Sequence, residues 1–199
     1  MKAKLTIPTN LLRAVSMACS KDSSRFILQN VQVNFRKNRI VLAATDGRLL
    51  MAAVVETKWN ELCGESFLIP ASLIRYIKNV EEVTIEVDED YVFLRDVDRE
   101  GLSVSRKTVT GTYPNWKGVV PRGDLKEHSC PVSRAVSDVL FSAMSVFKHK
   151  QNQVLEGYSV DGDHMAPHVC HIDDNMFALY MPCRYDDRKM EIPGWLWEE

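Results

Sequence analysis

Three times along this chain an apolar run ends in proline, one further residue, then asparagine or serine, with a helix-like stretch behind it. The copies are Ile7-Pro8-Thr9-Asn10, Ile69-Pro70-Ala71-Ser72 and Cys130-Pro131-Val132-Ser133. Pro8, Pro70 and Pro131 stand 62 and 61 residues apart. A period of that size means one supersecondary unit reused, because a unit that cannot bury its apolar face alone stacks on a copy of itself. Asn10, Ser72 and Ser133 are each placed to cap a helix start with a side-chain oxygen, and proline fits an entry where no backbone donor is needed.

Helical spacing follows each motif. Over 10–19, Leu11, Leu12, Val15, Ala18 and Cys19 fall on one stripe and Arg13 lies outside it. Over 72–80, Leu73, Ile74 and Ile77 turn inward while Arg75 and Lys78 turn outward. Over 133–148 the inward stripe is Val136, Val139, Leu140, Ala143, Met144 and Phe147. Three strand-like segments follow every helix: 26–35, 39–45 and 49–57; then 83–87, 91–95 and 102–109; then 154–160, 168–172 and 177–181. The unit is strand, helix, three strands. The fold class expected is α+β, with helices on one face and antiparallel sheets on the other.

Between the second and third strands of the first unit stands Thr45-Asp46-Gly47. Asp-Gly between two β-rich runs is a strong hairpin signal, since glycine accepts positive φ and the carboxylate bonds nearby backbone. With no His, Lys or second carboxylate close in sequence, Asp46 reads as structural rather than catalytic.

The exposed helix positions Arg13, Arg75, Lys78, Arg134, Lys148 and Lys150 are basic, whereas carboxylates such as Glu81, Glu82, Asp88 and Asp96 gather in loops and strand ends. Segregated charge in a chain of net charge −2 is compatible with a local phosphate-binding face and not with a globally basic coat. Solvated helix faces carry Lys and Arg in most proteins, so charge alone does not establish DNA binding. The five cysteines are scattered, with no C-x-x-C, and read as reduced, mostly core-filling thiols rather than a disulfide framework or zinc ribbon. No apolar run approaches a membrane span and the first residues carry no signal-peptide pattern, so a soluble cytoplasmic protein is expected.

Two separated stretches then carry a family resemblance, and a third extends it. Ala43-Ala44-Thr45-Asp46-Gly47-Arg48-Leu49-Leu50 and Gly111-Thr112-Tyr113-Pro114-Asn115-Trp116-Lys117-Gly118-Val119-Val120-Pro121 resemble the middle domain of the bacterial DNA polymerase III beta subunit, the sliding clamp. Phe177-Ala178-Leu179-Tyr180-Met181-Pro182-Cys183-Arg184 resembles that family's closing strand. The resemblance implies the DNA-clamp fold, with residues 1–121 as a complete clamp domain and 122–199 as a truncated one, a single repeat followed by a tail. It implies a non-catalytic polymerase accessory that binds duplex DNA without sequence preference, forms a homo-oligomer and needs no cofactor or metal. It also implies a pocket for peptides of polymerases and repair proteins. Matched residue by residue, that pocket comprises Leu28, Thr45, Gly47, Arg48, Leu50 and Pro114, then Val119, Leu179, Tyr180, Met181, Pro182 and Arg184. Arg25 matches a loop position that faces DNA.

The departures are specific. The family's Gly-His-Arg-Leu is Gly47-Arg48-Leu49-Leu50 here, Cys183 replaces a methionine, and Gly118 stands where arginine is common. The resemblance finds no counterpart here for the family's first domain or for half of its last. The unpaired third repeat offers the helix stripe Val136, Leu140, Met144 and Phe147 for pairing with a second copy; the alternative is a fold-back onto the first domain that leaves an open arc. That arc would suit a second role, a non-encircling module competing for clamp-binding peptides. His164, His168, Cys170 and His171 could hold a metal, but their spacing fits no zinc pattern. The tail, 185–199, contains Trp195-Leu196-Trp197 and is expected either to pack on its own domain or to cover the peptide pocket.

Overall fold

The computed structural model describes residues 3–58, 63–77, 79–97, 103–127, 132–147, 156–160, 163 and 165–183. The repeat is realised in all three copies. The first contains β1 (Ala3–Pro8), α1 (Thr9–Ser16), a 3-10 segment (Ser23–Gln29), β2 (Asn30–Arg36), β3 (Arg39–Thr45) and β4 (Leu49–Glu56). The second contains β5 (Ser66–Pro70), α2 (Ala71–Ile74), β6 (Glu82–Val87), β7 (Tyr91–Asp96) and β8 (Ser103–Lys107). The third contains β9 (Leu125–Glu127), α3 (Arg134–Val146), β10 (Gly157–Val160), β11 (His168–Asp173) and β12 (Met176–Tyr180).

The first two repeats exchange their leading strands. β1 pairs with β6 in a sheet ordered β1-β6-β7-β8, and β5 pairs with β2 at one end of a sheet ordered β5-β2-β3-β4-β12-β11-β10-β9. Neither repeat can therefore complete its sheet without the other. The third behaves differently: β9 lies against β10 of its own repeat, in the position β5 occupies beside β2. Its last strand, β12, joins the last strand of the first repeat, with Leu50 opposite Leu179 and Ala52 opposite Phe177.

Alternation along these strands divides the apolar residues between two faces. Leu49, Met51, Ala53, Ala178 and Tyr180 point into the main core, where α1, α2 and α3 pack. Leu50, Ala52, Ala43 and Leu179 point to the opposite face and form a second, smaller core with Tyr113 and Trp116. α3 packs on α1, burying Leu140, Ala143 and Met144; the flanking Val136 and Phe147 are half-buried. The stripe expected to await a second copy is thus covered from within the chain. Cys19 and Cys170 are buried, and burial pushes each thiol up to about 12. Cys63 and Cys183 are exposed, and Cys130 lies outside the described residues.

Local departures from the expected elements have local causes. α1 begins at Thr9, after Pro8, so Asn10 lies inside the helix and its Oδ1 accepts from the Leu11 amide at 2.8 Å rather than capping. Ser72 likewise lies inside α2, which shortens to Ala71–Ile74 because the next amides bond three residues back, Tyr76 N to Leu73 O and Ile77 N to Ile74 O. Ile77 is still fully buried, as its spacing requires. Only Ser133 caps as expected, its Oγ accepting from Val136 N at 3.3 Å. The stretch expected as a strand over 26–35 starts as the 3-10 segment, held by the Asn30 side chain, which donates to the carbonyls of Phe26 (2.7 Å) and Ile27 (3.1 Å).

Candidate functional site

The Thr45-Asp46-Gly47 corner is built by its own side chains. Asp46 Oδ1 accepts from the amides of Arg48 (2.8 Å) and Leu49 (2.9 Å). Thr45 Oγ1 donates to Leu49 O at 2.8 Å and accepts from Gly47 N at 3.0 Å. Gly47 sits at φ +94, where a side chain would be strained and would also crowd Arg25 Nη1. Arg25 donates through that nitrogen to Asp46 O at 3.0 Å and pairs at 3.8 Å with Asp22. The end of β12 is tied to the same corner, Met181 N donating to Arg48 O at 3.1 Å. The corner therefore joins two repeats, and Asp46 has the structural work expected of it.

Tyr113 fastens the covering segment to the sheet. Its hydroxyl accepts from Thr45 N at 3.2 Å and donates to Asn30 O at 3.3 Å. Burial first, then the nearby Cys19, pushes this phenol well above its ordinary value, so the proton it donates is retained. Trp116, in a short 3-10 turn (Trp116–Val119), donates from Nε1 to Gln32 Oε1 at 2.9 Å. Gly111 passes so close to Ile27 that a Cβ there would overlap its side chain. Together these interactions lay 108–121 across the outer face of the large sheet.

Of the residues matched to a peptide pocket, Leu28, Leu50 and Leu179 meet in this outer cluster. Leu50 and Leu179 are each only 3% exposed, so they form its floor rather than an open surface. Val119, at the end of the 3-10 turn, and Met181, just past β12, are 53% and 47% exposed. Gly47, Arg48 and Pro114 are exposed, Thr45 and Pro182 half-buried. Tyr180 is not with them: it faces the main core, its ring stacked on His168 with centroids 5.7 Å apart, because it neighbours Leu179 in a strand of period two. Arg184 lies outside the described residues. Sequence reasoning missed Tyr113 and Trp116 as builders of this surface, although both stand inside the motif that drew attention to it.

Of the cations assigned to the helix side, Arg13 lies in the last turn of α1, Arg75 ends α2 and Arg134 begins α3. Arg75 stacks on and bonds Tyr76, and Arg134 pairs with Asp138 at 3.7 Å. Arg25, expected to face DNA, is exposed and bonds the hairpin corner. Lys78, Lys148 and Lys150 lie outside the described residues.

No family model matches the chain. A curated relative, the beta sliding clamp of Treponema pallidum, is 29% identical over 141 residues, covering 65% of this chain and 36% of the relative. The crystal structure of the Bacillus subtilis DNA polymerase sliding clamp superposes with a TM-score of 0.68 at 15% identity, covering 92% of this chain and 65% of that one. DNA polymerase III subunit beta of Borrelia burgdorferi, solved with a natural product, gives 0.67 at 13% identity, covering 92% and 63%. This is the sliding-clamp fold. The chain spans little more than a third of the curated relative it matches, and about two thirds of the solved clamps.

In this clamp fold the histidine and cysteine cluster disperses. His168 and Cys170 point into the core, with His168 Nδ1 2.9 Å from Ala166 O; His171 is exposed, and His164 lies outside the described residues. Among the described residues no group of His, Cys, Asp or Glu is arranged to hold a metal, and no helix is long and apolar enough to cross a membrane.

Proposed function

We propose that this chain is a sliding-clamp-like accessory of DNA replication, without catalysis of its own or a cofactor, that works in the cytoplasm. It holds duplex DNA through the helix side and short peptides of polymerases or repair proteins on the outer face. Residues 1–121 act as one complete clamp domain and 122–199 as a single repeat with a tail.

The observation that carries this reading is the convergence of three sequence-distant motifs at one place: β4 against β12, the Thr45–Gly47 corner against Met181, and 108–121 laid over both. A buried apolar floor with exposed Val119 and Met181 in the flanking segments supports this reading, since peptide grooves offer apolar anchors. The test is anisotropy of a labelled peptide ending in bulky apolar residues. Saturable binding is expected, weakened at least tenfold by Met181→Glu or Val119→Asp, because either would bring an unpaired carboxylate into an apolar contact. Binding that neither variant alters would overturn the assignment. Leu50→Lys is a poor probe, since Leu50 is already core and the change would act on folding.

A second reading, a non-encircling peptide-binding module, draws support from the way the third repeat is completed within this chain. With β9 beside β10 and α3 on α1, that repeat does not need another copy to complete it.

A further inference from the structure

At the end of β4 and β12 away from the Arg48 corner, the outer face carries a hollow. It has a volume of about 240 Å³, smaller than the roughly 300–1,000 Å³ of pockets that take drug-sized molecules, and suits one or two side chains. Val41, Ala52, Val54, Trp116 and Phe177 line it. Ala52, opposite Phe177 on one side and Ala43 on the other, provides the depth, because a larger residue there would fill the hollow. Arg39 and His171 stand on its rim with one carboxylate, Asp174. Arg39 also borders an adjoining cleft formed by Arg36, Lys37, Asn38, Glu56 and Thr57, which sets three cations against one carboxylate.

We propose that residues 184–199 of the same chain dock here, with Trp195 and Trp197 in the apolar hollow and Glu198 and Glu199 against the Arg36-Lys37-Arg39 turn. Three observations select this occupant. The first is chemistry: Trp195-Leu196-Trp197 followed at once by Glu198-Glu199 is an apolar load with an acidic end, and the surface is an apolar hollow with a basic end.

The second is direction. β12 delivers the chain to the Arg48 corner, at the opposite end from the hollow. A segment returning from there meets Leu179, then Phe177 and Val54, and last the turn between β2 and β3. The order of surface features thus matches the order of aromatic and acidic residues along the segment. The third is reach. Twelve residue steps separate Cys183 from Trp195, up to about 40 Å when extended, whereas the five residues of β12 span about 17 Å. Tethering raises the local concentration of such a segment to the millimolar range, so weak intrinsic affinity suffices to hold it.

The experiment is NMR on the full chain, following backbone amides and the Trp116 indole. Replacing Trp195 and Trp197 by Ser is expected to shift Val54, Phe177 and the Trp116 indole while leaving α3 in place. Arg39→Glu should produce the same shifts at the rim, and adding Glu198→Lys with Glu199→Lys to that variant should restore the original positions. Shifts confined to Arg48 and Met181 would overturn the proposal, as would their absence or a dependence on protein concentration, which would mean docking on a second copy. Peptide binding at Met181 is measured separately and does not decide this result.

Discussion

Among the polar side chains that hold the outer site, Asp46 and Tyr113 both act through backbone groups. Tyr113→Phe removes one acceptor for Thr45 N and the donor to Asn30 O. It should cost about 1–3 kcal/mol in denaturant unfolding, since the buried Asn30 carbonyl loses its partner while the aromatic packing is kept. The alternation of β4 and β12 made Leu50 and Leu179 legible as one face, and the same alternation, applied strictly, excludes Tyr180. Tyr113 and Trp116 were illegible for another reason. They stand in a segment without a period of its own, and which face such a segment crosses is decided by partners more than 80 residues away, Asn30 and Gln32.

At the scale of elements, the repeat was legible because proline entry and apolar spacing survive in each copy, although helix lengths were not. α2 satisfies Leu73, Ile74 and Ile77 with a single turn, and nothing in spacing alone distinguishes that from a longer helix. α3 is the element on which the third repeat depends. Leu140→Ala should cost about 2–5 kcal/mol by cavity formation, and hydrogen exchange should rise first in α3, β10 and β11. Global exchange without that bias would argue against a repeat docked through this helix.

The small sheet carries a pH-sensitive tie across three strands. Glu86 on β6 bonds Lys4 on β1 at 3.0 Å and Arg95 on β7 at 2.9 Å. Lys4 first and Arg95 next hold its carboxyl below the ordinary value of 4.5. A carboxyl lowered on folding stabilises the fold above its unfolded value, and that contribution is lost as pH falls through the lower folded value. Glu86→Gln should therefore lose stability at neutral pH and show a shallower decline below about pH 4.5. Parallel acid curves for the two proteins would contradict this account of the sheet.

For the whole molecule, the arrangement that was expected to recruit a second copy is met internally. The helix stripe of the third repeat lies on α1, and β9 fills the edge beside β10. Within the chain, three helices lie on one side and two sheets behind them. Self-association through the α3 stripe would require undocking it, so sedimentation at micromolar concentration should show no species whose formation exposes α3 to exchange. Any ring must close through other surfaces, and β8 is the outer strand of the small sheet.

The most direct test of the clamp reading is duplex DNA binding as a function of salt. Sequence-independent binding is expected, with log affinity falling linearly with log salt. Replacing Arg13, Arg75 and Arg134 by Ala should reduce the magnitude of that slope by about two to three units, about 0.9 for each phosphate no longer neutralised. No measurable binding at low salt, or an unchanged slope in the triple variant, would contradict the assignment of the helix side as the DNA face.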